Sequence, residues 1–182
     1  MDIRFLPPEL RRLDEASVEL AIGSFWLDRR PLPGLAGLLD WRLAGRLSAI
    51  VASGFARGEE GELLLVPGKP HVPFEKVLLL GLGARAGFDE DVFRRAVRRM
   101  ASALEGLRVR RAVVELPGRS GGGVAADTGA AIDAERAIAL TLECLGTAPE
   151  HDAWWLVEDA ASQQKIEQRV RVTQRVASIS DA

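Results

Sequence analysis

Asp133-Ala134-Glu135-Arg136 sets two carboxylates beside an arginine in a helix-forming stretch, and carboxylates are the groups that ligate divalent metals or move protons. A hard metal needs several convergent oxygen or nitrogen ligands, and two acids on one exposed helix face do not supply them. Asp133 and Arg136, spaced i,i+3, are expected to form an ordinary surface pair. His71 and His151 have no partner motif around them and read as surface histidines instead of a general acid or base. Cys144 is the single cysteine, so a disulfide within the chain and a Cys-rich zinc site are excluded. Its place in an apolar helical stripe predicts a small buried hydrophobe, not a reactive thiol. The sequence thus predicts no catalytic residue, no metal site and no cofactor.

Glycine is the other candidate. Gly81 and Gly83 follow an apolar run, and Gly121, Gly122 and Gly123 precede a helical one. Such loops let backbone N–H groups approach a phosphate, helped by a helix N-terminus, so these five are the candidate ligand-binding residues. Neither a Gly-X-Gly-X-X-Gly nor a Walker pattern accompanies them. The plain alternative is that the glycines turn the chain tightly. Trp154 and Trp155 are the candidate partner surface. Adjacent strand residues face opposite ways, so one ring belongs to the core and the other to a covering helix or to a partner.

The elements that must position these groups alternate along the chain. Residues 3–6 are a short apolar strand stopped by Pro7-Pro8, and 17–26 a strand with apolar residues at period two. Residues 29–37, with Pro31, Pro33 and two glycines, are predicted as a loop. Asp40 is predicted to cap a helix through Trp41, Ala44, Leu47 and Val51, ending at Gly54. Strands at 62–66 and 76–80 follow, the second apolar throughout as a strand covered on both faces should be. Asp89 caps a helix with Val92, Phe93, Ala96, Val97, Met100 and Leu104 on one face and Arg94, Arg95, Arg98 and Arg99 on the other. A strand at 111–116, a glycine-rich loop at 117–123, an alanine-rich helix at 127–145, a strand at 153–157 and a polar helix at 163–176 complete the order. This predicts an α/β fold of three layers, a mixed and mostly parallel sheet between helices.

Bulk properties narrow the function. The 182 residues suffice for one ordinary domain with a substantial core. A net charge of −2 lacks the basic excess of a nucleic-acid binder, so no nucleic-acid partner is expected. No apolar run reaches the roughly 18 residues of a membrane span. The N-terminus lacks the layout of a secretory signal, so a cytoplasmic protein is expected.

The middle of the chain resembles a known family. Leu39-Asp40-Trp41 leads to Gly45-Arg46-Leu47, Gly54-Phe55, Gly58 and Gly61-Glu62, and then to Lys76-Val77-Leu78-Leu79-Leu80-Gly81-Leu82-Gly83 and the helix after Phe88. Val113-Val114-Glu115-Leu116-Pro117, Leu142-Glu143-Cys144-Leu145 and the strand at Trp154 continue it. This run is similar to the N-terminal domain of leucyl aminopeptidases, dizinc metallopeptidases whose metal ligands lie in a separate C-terminal domain. The resemblance implies a macro-domain-like fold over residues 1–160, and a terminal helix over 161–182 like the family's interdomain linker. Asp133-Ala134-Glu135-Arg136 echoes the family's zinc-binding signature but lacks its glycine and its preceding Asn-Thr. The resemblance implies a binding, assembly or regulatory module without catalysis of its own, its partner a peptidase catalytic domain or a second copy. A macro-like ADP-ribose or nucleotide binder, or one half of a split or truncated zinc aminopeptidase, are the alternatives.

Overall fold

The computed structural model describes residues 2–119, 132–145 and 153–180, with side chains as far as residue 170. Within them the strands are β1 (Asp2–Leu6), β2 (Leu20–Phe25), β3 (Leu63–Pro67), β4 (Lys76–Gly81), β5 (Arg111–Val114) and β6 (Ala153–Val157). They form one mixed sheet in the order β1-β6-β5-β2-β4-β3. Every neighbouring pair is parallel except β3–β4, which is antiparallel. The inner strands β2 and β4 are buried almost end to end, as parallel strands covered on both faces must be. β3 alternates instead, with Leu64 and Val66 inward and Leu65 and Pro67 outward. Pro67 is tolerated because β3 is an edge.

Two cores flank the sheet. Leu20, Ile22, Leu78, Leu80, Val114, Trp154 and Leu156 pack with residues of α4 (Glu90–Gly106), α5 (Ala134–Leu145) and α6 (Ala160–Ser180). Ala21, Phe25, Val77, Leu79, Val113 and Val157 pack with residues of α1 (Leu10–Asp14), α2 (Gly34–Arg42) and α3 (Arg46–Ala52). The predicted three-layer α/β fold is therefore observed. No helix among the described residues is long and apolar enough to cross a membrane.

α4 is built as its sequence predicts. The Asp89 carboxylate accepts from the N–H groups of Asp91 and Val92 at 3.0 and 2.9 Å, with Glu90 and Asp91 in the first turn. The predicted apolar stripe of Val92, Phe93, Ala96, Val97, Met100 and Leu104 is buried. The preceding helical region differs from expectation. The helix predicted after Asp40 is two helices, α2 and α3, and α2 begins at Gly34 inside the predicted loop. The break lies where Ala44 and Gly45 adopt φ of 54° and 79°, values that suit a glycine and end a right-handed helix. Leu35, Ala36 and Leu39 form the buried side of α2, whose backbone comes close to β2 at Gly23. Trp41 consequently lies outside the core, 69% exposed. Asp40 still serves as a cap, but from α2: its carboxylate accepts from the Ser48 N–H at 3.0 Å in the first turn of α3. Gly45, at the N-cap position, has no side chain with which to do so.

Of the helix predicted over 127–145, residues 127–131 lie outside the described residues, and α5 begins at Ala134. Asp133 accepts from the Arg136 N–H at 2.8 Å and so acts as the helix cap. The predicted Asp133–Arg136 side-chain pair gives way to another: Arg136 reaches across to α4 and holds the Glu90 carboxylate through two bonds of 2.6 Å. α6 starts at Ala160, ahead of the predicted residue 163, and its Ile166 is fully buried in the core.

Candidate functional site: the carboxyl edge of the sheet

In open α/β sheets, ligands bind outside the carboxyl ends of the strands, where the strand order reverses. Here the chain passes from β4 on one side of β2 to β5 on the other. The segments at this edge, where β2, β4, β5 and β6 end, carry Gly81 and Gly83, two buried carboxylates and several arginines.

After β4, the Gly81 N–H donates to the Glu62 carbonyl at 2.8 Å, the Leu82 N–H to Phe25 at 3.0 Å and the Gly83 N–H to Gly58 at 2.8 Å. The amides of Gly81 and Gly83 are therefore engaged by the chain's own carbonyls. The glycine at 81 is needed for close approach. A Cβ there would lie 2.1 Å from the Glu59 carbonyl oxygen, well inside any van der Waals contact. The neighbouring turn is closed too, because the N–H groups of Arg57, Gly58 and Glu59 converge on the Glu62 carboxylate at 3.0, 2.7 and 3.1 Å. Arg30 ties the segment after β2 to that turn by donating to the carbonyls of Trp26 and Arg57 at 2.5 and 3.0 Å. Trp26 meets Phe88 edge to face, with ring centroids 5.0 Å apart.

After β5, Glu115 is 2% exposed and accepts from the Leu35 N–H at 2.8 Å, in the first turn of α2. Arg119, on the same segment, donates two bonds of 2.9 and 2.7 Å to Glu158, which follows β6 and is 1% exposed. The Arg119 guanidinium also reaches the Ser162 hydroxyl at 3.1 Å, in the first turns of α6. Burial lowers the Arg119 pKa, but the Glu158 contact together with the nearby Asp159 and Asp133 carboxylates holds the group above its ordinary value. Asp159 accepts from the Ser162 N–H at 2.8 Å, and this backbone bond leads the causes that lower its pKa, against burial. Glu62, Glu115, Arg119 and Glu158 are thus charges satisfied within the chain. Such an arrangement stabilises loops and leaves little unpaired chemistry among the described residues.

The remaining candidates do not converge on this edge. Trp154 is 1% exposed and fills the α4–α5–α6 side of the core, the one of the two rings that sequence alternation assigned to the interior. Trp155 points to the other face, half-buried against the second core, with the Arg4 guanidinium 5.0 Å from its ring centre. It lines a shallow cleft with Phe5, Pro7 and Arg12. His71 is exposed, Cys144 is partly buried in α5, and Asp133 caps that helix. Gly121, Gly122, Gly123 and His151 lie outside the described residues. No group of three or more His, Cys, Asp or Glu placed to hold a metal occurs among the described residues. Sequence reasoning missed Glu115, Arg119 and Glu158. The available signal was a lone carboxylate ending an apolar strand run, as in Val113-Val114-Glu115 and Leu156-Val157-Glu158.

Comparison with known proteins agrees with this architecture. Residues 21–142 match the family model described as the cytosol aminopeptidase family, N-terminal domain. A probable cytosol aminopeptidase of Halorhodospira halophila is 37% identical over 90 residues, covering 50% of this chain and 18% of that protein. One from Syntrophotalea carbinolica is 41% identical over 91 residues, again covering 50% of this chain and 18% of the relative. The chain thus spans under a fifth of the length of these relatives. Among solved structures, a tomato leucine aminopeptidase mutant superposes with a TM-score of 0.61 at 17% identity, over 94% of this chain and 36% of that one. The Trypanosoma brucei macrodomain in complex with ADP-ribose gives 0.67 at 18% identity, over 92% and 68%. At those identities the likeness establishes the fold alone, a macrodomain-like α/β sandwich. By the extent of the family match, the chain belongs to the cytosol aminopeptidase family, through its N-terminal domain.

Proposed function

We propose that this chain is a non-catalytic binding or assembly module of the cytosol aminopeptidase type, serving a peptidase catalytic domain and performing no hydrolysis itself. The observation that carries this reading is the engaged 81–83 turn at the carboxyl edge. The amides of Gly81, Leu82 and Gly83 all donate to the chain's own carbonyls, so this described part of the edge acts as scaffold. The relatives that share the domain are named as aminopeptidases and are several times longer, which makes a catalytic domain the partner of choice.

The test is an assay with leucine p-nitroanilide in the presence of zinc or manganese. The chain alone should give no turnover. Added to a separately purified catalytic domain of a cytosol aminopeptidase, it should co-elute and alter that domain's activity or stability. Robust metal-dependent turnover by the chain alone would overturn the proposal, and would favour a complete site in residues outside those described. A second reading, a macro-like nucleotide binder, draws on the likeness to a macrodomain bound to ADP-ribose. Calorimetry with ADP-ribose separates the two: the module predicts a silent titration, and saturable heat would favour the nucleotide binder.

A further inference from the structure

The two edges of the sheet are built differently. β3 carries Pro67 within the strand, which removes a donor from that edge. β1 pairs on one side only, in parallel with β6, and has no proline from Asp2 to Leu6. The Leu6 carbonyl accepts from the Glu158 N–H at 3.2 Å, so Leu6 turns its backbone groups towards β6. Backbone direction alternates along a strand, so Asp2 and Arg4 do the same, and the N–H and C=O groups of Ile3 and Phe5 point away from the sheet. The side chains alternate too. Ile3 and Phe5 pack against the α4–α5–α6 core, while Arg4 lies on the opposite face over Trp155. Asp2 meets Arg4 there at 2.8 Å, and both side chains are more than half exposed.

We infer that β1 is a self-association edge: two copies of the chain pair β1 antiparallel about a two-fold axis at Ile3, joining their sheets into one. Backbone alternation selects this register. At Ile3 the outward N–H and C=O groups of the two copies bond reciprocally, as in the hydrogen-bonded type of antiparallel pair. Asp2 of each copy then lies opposite Arg4 of the other, at the non-hydrogen-bonded positions where side chains come closest. Charges ordinarily guard a sheet edge against pairing. Here they are of opposite sign and two residues apart, so the axis at Ile3 turns them into two cross-strand ion pairs. An axis at Phe5 would set Pro7 opposite Ile3 with no N–H to donate, and one at Arg4 would oppose two guanidiniums. The occupant that fits the edge is therefore a second copy, and the pairing is isologous and stops at two. A strand of 5 residues makes a contact below standard size, so the dimer is weak and forms with rising concentration. This inference does not rest on the proposed peptidase partner, and its test involves no enzyme activity.

Sedimentation equilibrium of the whole chain should show monomer passing to dimer at roughly 0.1–1 mM, the range of a weak contact. Asp2→Arg alone and Arg4→Asp alone each set like charges opposite one another, and each should weaken the dimer about tenfold. Mixed in equal amounts, the two variants should regain wild-type association, because arginine faces aspartate at both positions of the mixed dimer. Ile3→Pro removes an N–H that β6 does not use, and should leave a folded monomer by circular dichroism. A wild type that stays monomeric over this range, or that grows beyond dimers, overturns the inference. So does a folded Ile3→Pro variant that still dimerises, or a mixture of the charge variants that associates no better than either alone. If Ile3→Pro does not fold, the charge variants decide, since both of their substitutions lie at exposed positions.

Discussion

Arg119 and Glu158 illustrate how a single pair can govern a region. Glu158 is deeply buried at the end of β6, and only a charged, bidentate partner makes that position tolerable. The pair also joins the segment after β5 to the first turns of α6 through Ser162. Arg119→Met should therefore cost about 3–5 kcal/mol in urea unfolding, because it leaves a buried charge uncompensated. The double variant Arg119→Met/Glu158→Met should recover much of that loss. A single variant within about 0.5 kcal/mol of wild type, the range of ordinary surface changes, would contradict this account. The pair was not legible in the sequence, where 39 positions separate two residues that look like surface charges. Asp89 was legible, because a cap acts within its own turn and needs no distant partner.

At the scale of elements, the close contact between the 58–62 turn and the end of β4 decides the shape of the carboxyl edge. The Gly81 N–H bonds to the Glu62 carbonyl, and its Cα faces the Glu59 carbonyl with no room for a methyl group. Gly81→Ala should thus destabilise the domain by about 3 kcal/mol or more, at the upper end of overpacking effects, since the obstructing atom is backbone and cannot rotate away. Guanidinium denaturation measures this directly, and a loss below about 1 kcal/mol would mean that the turn relaxes easily. The Gly-Leu-Gly sequence is compatible with a phosphate cradle and with a packed turn alike. Which one it forms depends on another segment of chain, so periodicity and turn rules could not choose between them. Trp41 carries the same lesson. Helical spacing aligned it with buried residues, but contact of α2 with β2 selected Leu35, Ala36 and Leu39 as the inner face.

For the whole molecule, charge pairs between elements tie acid stability to a few carboxylates. Glu90 has its pKa lowered below the ordinary 4.5, first by the hydrogen bond from Arg136, and Glu75 likewise first by the one from Lys69. Asp159 lies below its ordinary 3.8 because of the Ser162 amide. A depressed carboxylate pKa contributes stability that is complete above the unfolded-state value and is lost as pH falls through the folded-state value. Unfolding midpoints should therefore hold steady from neutrality down to about pH 5 and decline below that. Arg136→Ala should shrink the decline, since Glu90 then keeps only its contact with Arg94, and an unchanged decline would remove the Arg136–Glu90 pair from the account. Strand and helix identities, the mostly parallel three-layer class and the cap at Asp89 follow from local alternation, helical spacing and side-chain chemistry, which act over a few residues and are written in the chain order. The strand order, the break between α2 and α3, the face taken by each tryptophan and the packing of the 81–83 turn against residues 58–62 arise only when distant segments compete for the same buried space. Local patterning does not encode that competition, because its outcome depends on contacts made after the layers have come together.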